Sequence, residues 1–575
     1  MNDTSTQPSH RVTIVGAGVA GLTAALKLVE RGFRVDIYEK ATDTVDDDHG
    51  TVGGNYGGHF KRTYAHGSPG DANDDVAQEV SDDGDRAIFH EHSYHMLPAW
   101  YENFFQLAAD INAGSGDSNP IEFEDRPTFV YIDTSGKRST ISNLGDARTH
   151  LSNLLRGPVS PVDMSLGMYT LLALLAPDPF ASQSRERISV NGFVYSRWWS
   201  NNSVTDLQQK VLAKAFASPV YRSSAETYRS FIAYGAAKPT PMTRVLRGDS
   251  FHSFIKPLCE AIERSPLATI HRGESICKLE LADGPSHRVV GIVGDEHTDI
   301  EGDVIMALSP SAWAELIDDD IATADPKLAR IRQLEYLPMA SLDLYLDRKV
   351  AGMPSEFVIL ENSAYGLTFI DNSQAWGGVG NTFLNVVASS LNDPDSDHPF
   401  DQVLPPQELQ HIERELIVKI LAELNAHLTP SYGITIEKDW IDWKRTWLNR
   451  NHKRALFLNQ VGTWRLRPDT TCAISNLYLA GAFCRNATDV ETLEGAVTSG
   501  LLAAEAIRQK HGCPEPVQIH DLKRLAPETS AVLHTAWLPM AVAAKAWSMI
   551  ATPFQGLAES VWSDSTSKTP PRERG

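Results

Sequence analysis

The chain has 575 residues, 42% of them hydrophobic and 8% aromatic, enough to bury a large core in two or more domains or interleaved lobes. Its 52 Lys and Arg against 73 Asp and Glu leave a formal charge of −21, which argues against nucleic acid or any other polyanion as partner. The five cysteines (Cys259, Cys277, Cys472, Cys484 and Cys513) are scattered without a C-x-x-C pair, which excludes a zinc ribbon and points to a reducing compartment without disulfides.

In chain order, the opening MNDTSTQPSH is polar and lacks the apolar stretch of a secretory signal, so a cytoplasmic location is expected. Residues 11–40, RVTIVGAGVAGLTAALKLVERGFRVDIYEK, then predict a buried strand, a glycine turn, an amphipathic helix and a second strand ending at Glu39. Gly16, Gly18 and Gly21 satisfy G-x-G-x-x-G: the first allows the tight turn, the second lets backbone approach a pyrophosphate, the third packs helix on strand. The helix start offers N–H groups and a positive dipole end to phosphates, and Glu39 is placed to accept hydrogen bonds from a ribose diol. Strand, turn, helix, strand and acid in that order predict a bound dinucleotide.

Gly53-Gly54 and Gly57-Gly58 follow, then acidic clusters at Asp46–Asp48 and Asp71–Asp85, most simply solvated loops, with a calcium site as the alternative. The block FHEHSYHMLPAWYENFFQLAADI (residues 89–111) turns helical in its second half, and residues 149–238 look mainly helical. His90, His92 and His95 have a conceivable metal spacing but no clear tetrahedral set, so no metal site is assigned. His92 and His95 remain candidates for acid–base work, against the alternative of structural hydrogen bonding. Arg62, Arg244 and Arg247 could contact phosphate or simply lie on the surface.

Residues 242–266 predict a turn and an amphipathic helix leading into alternating strands; residues 334–387 read as further strands and 409–427 as a long helix. A last strand, NLYLAGAF, leads through a polar turn into the small-residue helix ETLEGAVTSGLLAAEAIRQK. Gly495 and Ala496 in its first turns permit close approach, so its N–H groups could stabilise negative charge on a reduced flavin; plain helix–sheet packing is the alternative. Between Ala531 and Ala558 only Lys545 is charged, and Pro539 and Pro553 interrupt runs too short to span a bilayer. This predicts either a peripheral membrane contact through residues 531–558 or a helical hairpin packed on the protein's own core or on a second subunit.

These segments resemble, in order from about residue 11 to 510, the flavin amine oxidase superfamily and its carotenoid (phytoene and ζ-carotene) desaturase branch. The resemblance is carried by the glycine fingerprint continued by Gly53-Gly54, the Phe89-His90-Glu91-His92 block running to Tyr101-Glu102-Asn103, and the turn–helix–strand from Arg247 to Lys278. Arg467-Pro468 followed by Asn476–Gly481, Glu494-Gly495-Ala496 and Ser499-Gly500 completes it. Ala482 stands where relatives often carry Asp, Ser93-Tyr94 where they carry Gly-Leu, and the acidic insert is longer.

The resemblance implies FAD as cofactor, with contacts at Gly16, Gly18, Ala20, Gly21, Glu39, Lys40, Gly53, Gly54, Ile276, Gly481, Ala482, Leu493, Glu494, Gly495 and Ala496. It implies an α/β architecture: a Rossmann-type FAD-binding domain from residues 11–88, 242–310 and 446–512, interleaved with an α+β substrate domain from 89–241 and 311–445. A helical extension over 513–562 and disordered tails at 1–10 and 563–575 complete the expected organisation. The implied function is oxidation of a hydrophobic, isoprenoid-like small molecule by hydride transfer to flavin, with quinone or oxygen as electron acceptor. An amine oxidase-type dehydrogenase and a flavoprotein without net redox remain as alternatives.

Overall fold

The computed structural model describes residues 10–41, 51–53, 63–65, 93–115, 120–142, 148–149, 152–153, 159–177, 185–201, 204, 219–282, 287–337, 339–377, 379–389, 406–450 and 456–566. Its first framework is a five-stranded parallel sheet in the order Ala268–Arg272, Arg34–Glu39, Arg11–Val15, Asp303–Met306, Leu477–Leu479. These strands are short β-branched and aliphatic runs because both sheet faces are covered. On one face Val12 and Ile14 meet the fingerprint helix (Val19–Val29) and the returning helix (Leu493–Lys510), through Leu22, Val497 and Leu501. On the other, Val15, Val304 and Met306 pack under the antiparallel meander Lys278–Leu281, Val289–Val293 and His297–Asp299.

The second framework is a seven-stranded sheet: Trp447–Arg450, Ala340–Tyr345, Phe383–Ala388, Leu367–Asp371, Phe357–Leu360, Phe129–Ile132 and Arg138–Ile141. It is antiparallel except between Phe357–Leu360 and Phe129–Ile132. Alternate side chains (Leu342, Leu344, Val386, Phe369 and Val358) face the long helix Pro406–Tyr432 through Leu416, Ile420 and Leu424. The opposite face carries Ser341, Asp343, Asn385, Thr368, Ile370 and Phe357, and turns toward Tyr94, Met96 and Val245. Strand Trp447–Arg450, assigned from sequence to the nucleotide-binding part, pairs here with Ala340–Asp343, which moves that junction beyond Arg450. A three-stranded sheet of Leu97–Pro98, Thr243–Leu246 and Phe123–Arg126 lies between the two frameworks.

The terminal helix corrects two expectations: it runs unbroken from Pro527 to Thr566, through Pro539 and Pro553, rather than forming a hairpin, and it enters the tail expected to be disordered. Each proline removes one backbone donor, and packing sustains the helix across Pro539. Ala541 and Ala544 are buried with Leu166 and Tyr169 of helix Pro161–Leu175. Trp537 Nε1 donates to the Ser165 carbonyl (3.1 Å), Lys545 Nζ to the Ser200 carbonyl (2.7 Å), and the His534 ring stacks on Tyr169 at 4.6 Å. Residues 513–526 carry no regular secondary structure. Among the described residues no helix is long and apolar enough to cross a membrane.

The fingerprint and returning helices meet at backbone distance: a Cβ at Gly500 would strike the Ala20 carbonyl and lie 3.0 Å from Thr23 Cβ. Gly500→Ala should therefore lower stability by about 1–3 kcal/mol, the usual range for overpacking. Chemical denaturation of the intact chain checks this; an unchanged midpoint would show that the helices can separate freely.

Candidate functional site

Two glycine turns open at the carboxyl ends of Arg11–Val15 and Leu477–Leu479, the two strands that flank Asp303–Met306 in the parallel sheet, at the edge where α/β proteins bind nucleotides. In the first, Gly16 adopts φ +102°, donates its N–H to the Tyr38 carbonyl (2.8 Å), and would put any Cβ 2.5 Å from the Ala307 carbonyl. A Cβ at Gly21 would collide with the Gly16 carbonyl. Gly18 caps the fingerprint helix in extended conformation with no side-chain acceptor, and the first turn is free of acids, so its N–H groups and dipole stay available to an anion. Glu39 is held at the rim: its Oε2 accepts from Ala17 N (2.8 Å) and its Oε1 from Ala41 N (3.0 Å). Ala20 is buried against the returning helix, whereas Lys40 is exposed at the strand end.

Ile276 follows strand Ala268–Arg272, whose continuation is tied to the same edge by Gly273 N to Ala41 O (3.1 Å) and Glu274 N to Glu39 O (2.9 Å). It is half-buried beside Gly294. Gly53 pairs with Thr63 in a short antiparallel ladder, while Gly54, Arg62, His90, His92 and the acidic clusters lie outside the described residues.

The second turn follows Leu477–Leu479. Gly481 has φ +147° and donates to Ser499 Oγ (2.8 Å). The loop from there to the returning helix is organised from beneath by Arg467, a fully buried side chain that sequence reading had noted only as part of an Arg-Pro step. Its guanidinium donates to the carbonyls of Phe483 (2.7 Å), Ala482 (3.1 Å) and Cys484 (2.7 Å) and pairs with Asp489 Oδ1 at 2.6 Å. Burial outweighs the guanidinium in setting the Asp489 carboxyl, which is pushed up to about 6; the residue sits in the left-handed region at φ +54°. Thr492 caps the returning helix, its Oγ1 accepting from Gly495 N (3.0 Å). Glu491, one residue earlier, accepts from Phe457 N (2.7 Å), and burial pushes its carboxyl up to about 7.

Leu493 is buried and Ala496 half-buried in the first turn of that helix. Glu494 plays a part the sequence did not reveal. Its carboxylate faces inward and caps a different helix (Glu102–Ser115), accepting from Asn103 N (3.1 Å), Asn103 Nδ2 (2.7 Å) and Phe104 N (2.8 Å). Burial pushes it up to about 7 against those hydrogen bonds. The Glu494 side chain is thus engaged within the protein.

His95 Nδ1 lies 3.2 Å from Ser250 Oγ, at the junction of the two frameworks. Arg244 pairs with Asp125 at 2.8 Å and Arg247 with Glu122 at 3.9 Å, both on the surface, away from the glycine turns' own hydrogen bonds. Among the described residues no group of acidic, His and Cys side chains could hold a metal ion. The two cradles that a Cβ would fill, the rim carboxylate of Glu39 and the two helix starts fit an FAD.

The sequence model of the flavin containing amine oxidoreductases matches residues 104–508, well over half of the chain, and that of an NAD(P)-binding Rossmann-like domain matches residues 14–59. The chain is 23% identical over 537 residues to the zeta-carotene desaturase of Synechocystis sp., covering 86% of this chain and 97% of that one. It is 21% identical over 529 residues to the 15-cis-phytoene desaturase of Synechococcus elongatus, covering 86% and 95%. Among solved structures, cyclohexylamine oxidase from Brevibacterium oxydans aligns with a TM-score of 0.54 at 14% identity, over 88% of this chain and 100% of that one. An oxidoreductase from Methanosarcina mazei gives 0.55 at 15% identity, over 87% and 100%. These structural likenesses carry the fold.

Glu491 yields a pH prediction. With a folded value near 7 and an ordinary value of 4.5, the folded chain holds a proton that the unfolded chain releases. Its contribution to stability is therefore complete below about pH 4.5 and is lost as pH rises through 7. Glu491→Gln should remove that loss, so denaturation midpoints of variant and wild type should diverge in the variant's favour between pH 5 and 8. Parallel pH curves would contradict the assignment.

Proposed function

Since the chain belongs to the flavin containing amine oxidoreductase family and is an FAD-dependent oxidoreductase, we propose that it desaturates or otherwise oxidises a hydrophobic, isoprenoid- or carotenoid-like substrate. The observation that carries this reading is the near full-length alignment with two carotene desaturases. An apolar sheet face supports it: Phe357, Ile370, Phe129 and Trp376 of the seven-stranded framework gather with Met96 and Val245 between the two frameworks. Bound flavin would supply a hydride acceptor at N5. The chain's own part in such a reaction is to orient an apolar chain, exclude water and favour negative charge at the flavin through the returning helix start. We further propose that the two frameworks act as interleaved cofactor and substrate domains, and that quinone or oxygen reoxidises the flavin.

The terminal helix supports peripheral membrane association. Its packed side holds Ala541 and Ala544, while Trp547 (64% exposed), Met549 (68%) and Ile550 (61%) project outward, near a body surface that also exposes Tyr195 and Trp198. Lys545, the one formal charge between Ala531 and Ala558, is tied to the Ser200 carbonyl. An uncharged aromatic and aliphatic face of this kind suits the interfacial layer of a bilayer.

A second reading, oxidation of an amine, has one observation in its favour. Asp343 is 1% exposed on the inner sheet face, hydrogen-bonded by Asn385 Nδ2, and a carboxylate there could meet an ammonium.

The purified protein should show flavin absorption that bleaches anaerobically with an isoprenoid polyene. Bleaching only by amines, with hydrogen peroxide released in air, would transfer the assignment to the second reading, and flavin that neither class reduces would point to a non-redox role. Separately, the triple variant Trp547→Glu, Met549→Glu, Ile550→Glu should lose co-flotation with liposomes at unchanged flavin content. Undiminished flotation would refute the membrane contact, and conversion of a wild-type dimer to a monomer would assign this face to a second copy.

A further inference from the structure

Residues 513–526, the irregular strap between the returning helix and the terminal helix, follow the last strand and helix of the nucleotide-binding framework, yet they reach back to the flavin-facing backbone at two separate points. The strap is first anchored on the fingerprint helix end, where Arg31 donates to the carbonyls of Glu515 (2.9 Å) and Pro516 (2.6 Å). It then passes Asn103, which grips it twice: His520 N donates to Asn103 Oδ1 (2.7 Å), and Asn103 Nδ2 donates to the His520 carbonyl (3.0 Å). The same Asn103 gives its N–H and Nδ2 to Glu494, in the first turn of the returning helix. Further along, Arg524 Nη2 donates to Tyr234 Oη (2.9 Å), and that hydroxyl donates to the Ala487 carbonyl, in the loop between Gly481 and the returning helix.

We infer that Asn103 and Tyr234 are positioning residues for the redox reaction, through which the strap sets the flavin-facing loop and the start of the returning helix. The inference rests on the FAD assignment and adds to it a control that lies outside the glycine turns. The two relays differ in chemistry and reach successive stretches of backbone, the loop at Ala487 and the helix start at Glu494. Asn103 bridges strap to helix start through a carboxylate in a dry site, where hydrogen bonds are strong and their loss costly. Tyr234 is polarised by a guanidinium on one side and fixes a loop carbonyl on the other, its ring held against Trp100 at 5.2 Å between centroids. A shift of the helix start changes how well its N–H groups face the negative charge that reduction places on a flavin. The relays should therefore weigh reduced against oxidised cofactor, not merely hold the chain together.

The test is the two-electron midpoint potential of the flavin-loaded protein, by equilibration with a reference dye, in wild type, Tyr234→Phe and Arg524→Met. Tyr234→Phe keeps the packed ring and removes the hydroxyl; Arg524 is exposed, so its replacement leaves the core intact. Both variants should change the preference for reduced over oxidised flavin three- to tenfold, about 15–30 mV for a two-electron couple, with the smaller change in Arg524→Met. Arg524→Lys should restore most of the wild-type value. Unchanged potentials and visible spectra, with only a lowered denaturation midpoint, would overturn the inference and leave the strap a structural brace. A wild type that takes up no flavin would instead remove the FAD assignment beneath it. Should Tyr234→Phe fail to fold, the Arg524 pair alone decides the matter on the same criterion.

Discussion

The contact on which the rest of the molecule depends is between two backbones, at Ala20 on the fingerprint helix and Gly500 on the returning helix. These residues are separated by most of the chain, yet only the missing Cβ at 500 lets the helices close. The strand Asp303–Met306 pairs with Arg11–Val15 on one side and Leu477–Leu479 on the other, which sets the Gly16 and Gly481 turns on one edge. The absence of a side chain at Gly16, Gly21 and Gly500 is thus a single geometric condition expressed three times. Each lets backbone meet backbone where an alanine would force the layers apart.

The second constraint is electrostatic. Arg467 is buried, a costly placement unless its donors are engaged. Three carbonyls and Asp489 engage it, and all lie in the loop that precedes the returning helix. Removing the charge would take a donor from all three carbonyls, of which Ala482 and Cys484 also accept from Asn486 Nδ2, while removing Asp489 would take away the carboxylate paired with the cation. The loop is therefore held from below by Arg467 and from the side by Tyr234 and the Glu494–Asn103 pair. Rigidity at a cofactor's reactive end is what lets oriented dipoles act without reorganising.

The extent to which all this was legible in the sequence follows from the range of the forces involved. The glycine fingerprint, the acid at Glu39 and the small-residue helix after Gly481 were readable because each rests on local backbone geometry, which neighbouring residue types dictate. The α/β class and the family followed from their order. Glu494 stands among the cofactor contacts implied by the family resemblance, but its side chain answers to Asn103 and Phe104, hundreds of residues away in sequence, and no local pattern announces such a partner. Trp447–Arg450 was misplaced for the same reason: strand pairing is non-local, and its partner Ala340–Asp343 is chosen by the sheet. The helix continues across Pro539 because Ala541 and Ala544, just beyond it, pack on Leu166 and Tyr169, a tertiary contact that no local reading of the proline reveals.

That terminal helix bears on how an apolar substrate and a strongly acidic protein could meet. A surface of net charge −21 is repelled by anionic lipid headgroups, so any approach to a membrane must rest on a patch where charge is absent. Residues 531–550 form such a patch, because their one cation is spent on the Ser200 carbonyl. Along the chain, the helix holding the patch is joined to the nucleotide-binding framework through the strap, and the strap grips Asn103 and Tyr234. A displacement of the terminal helix at an interface would be transmitted along the strap to those two hydrogen-bonded points. The arrangement places the surface that would meet lipid and the backbone that would meet flavin at the two ends of one short, anchored segment.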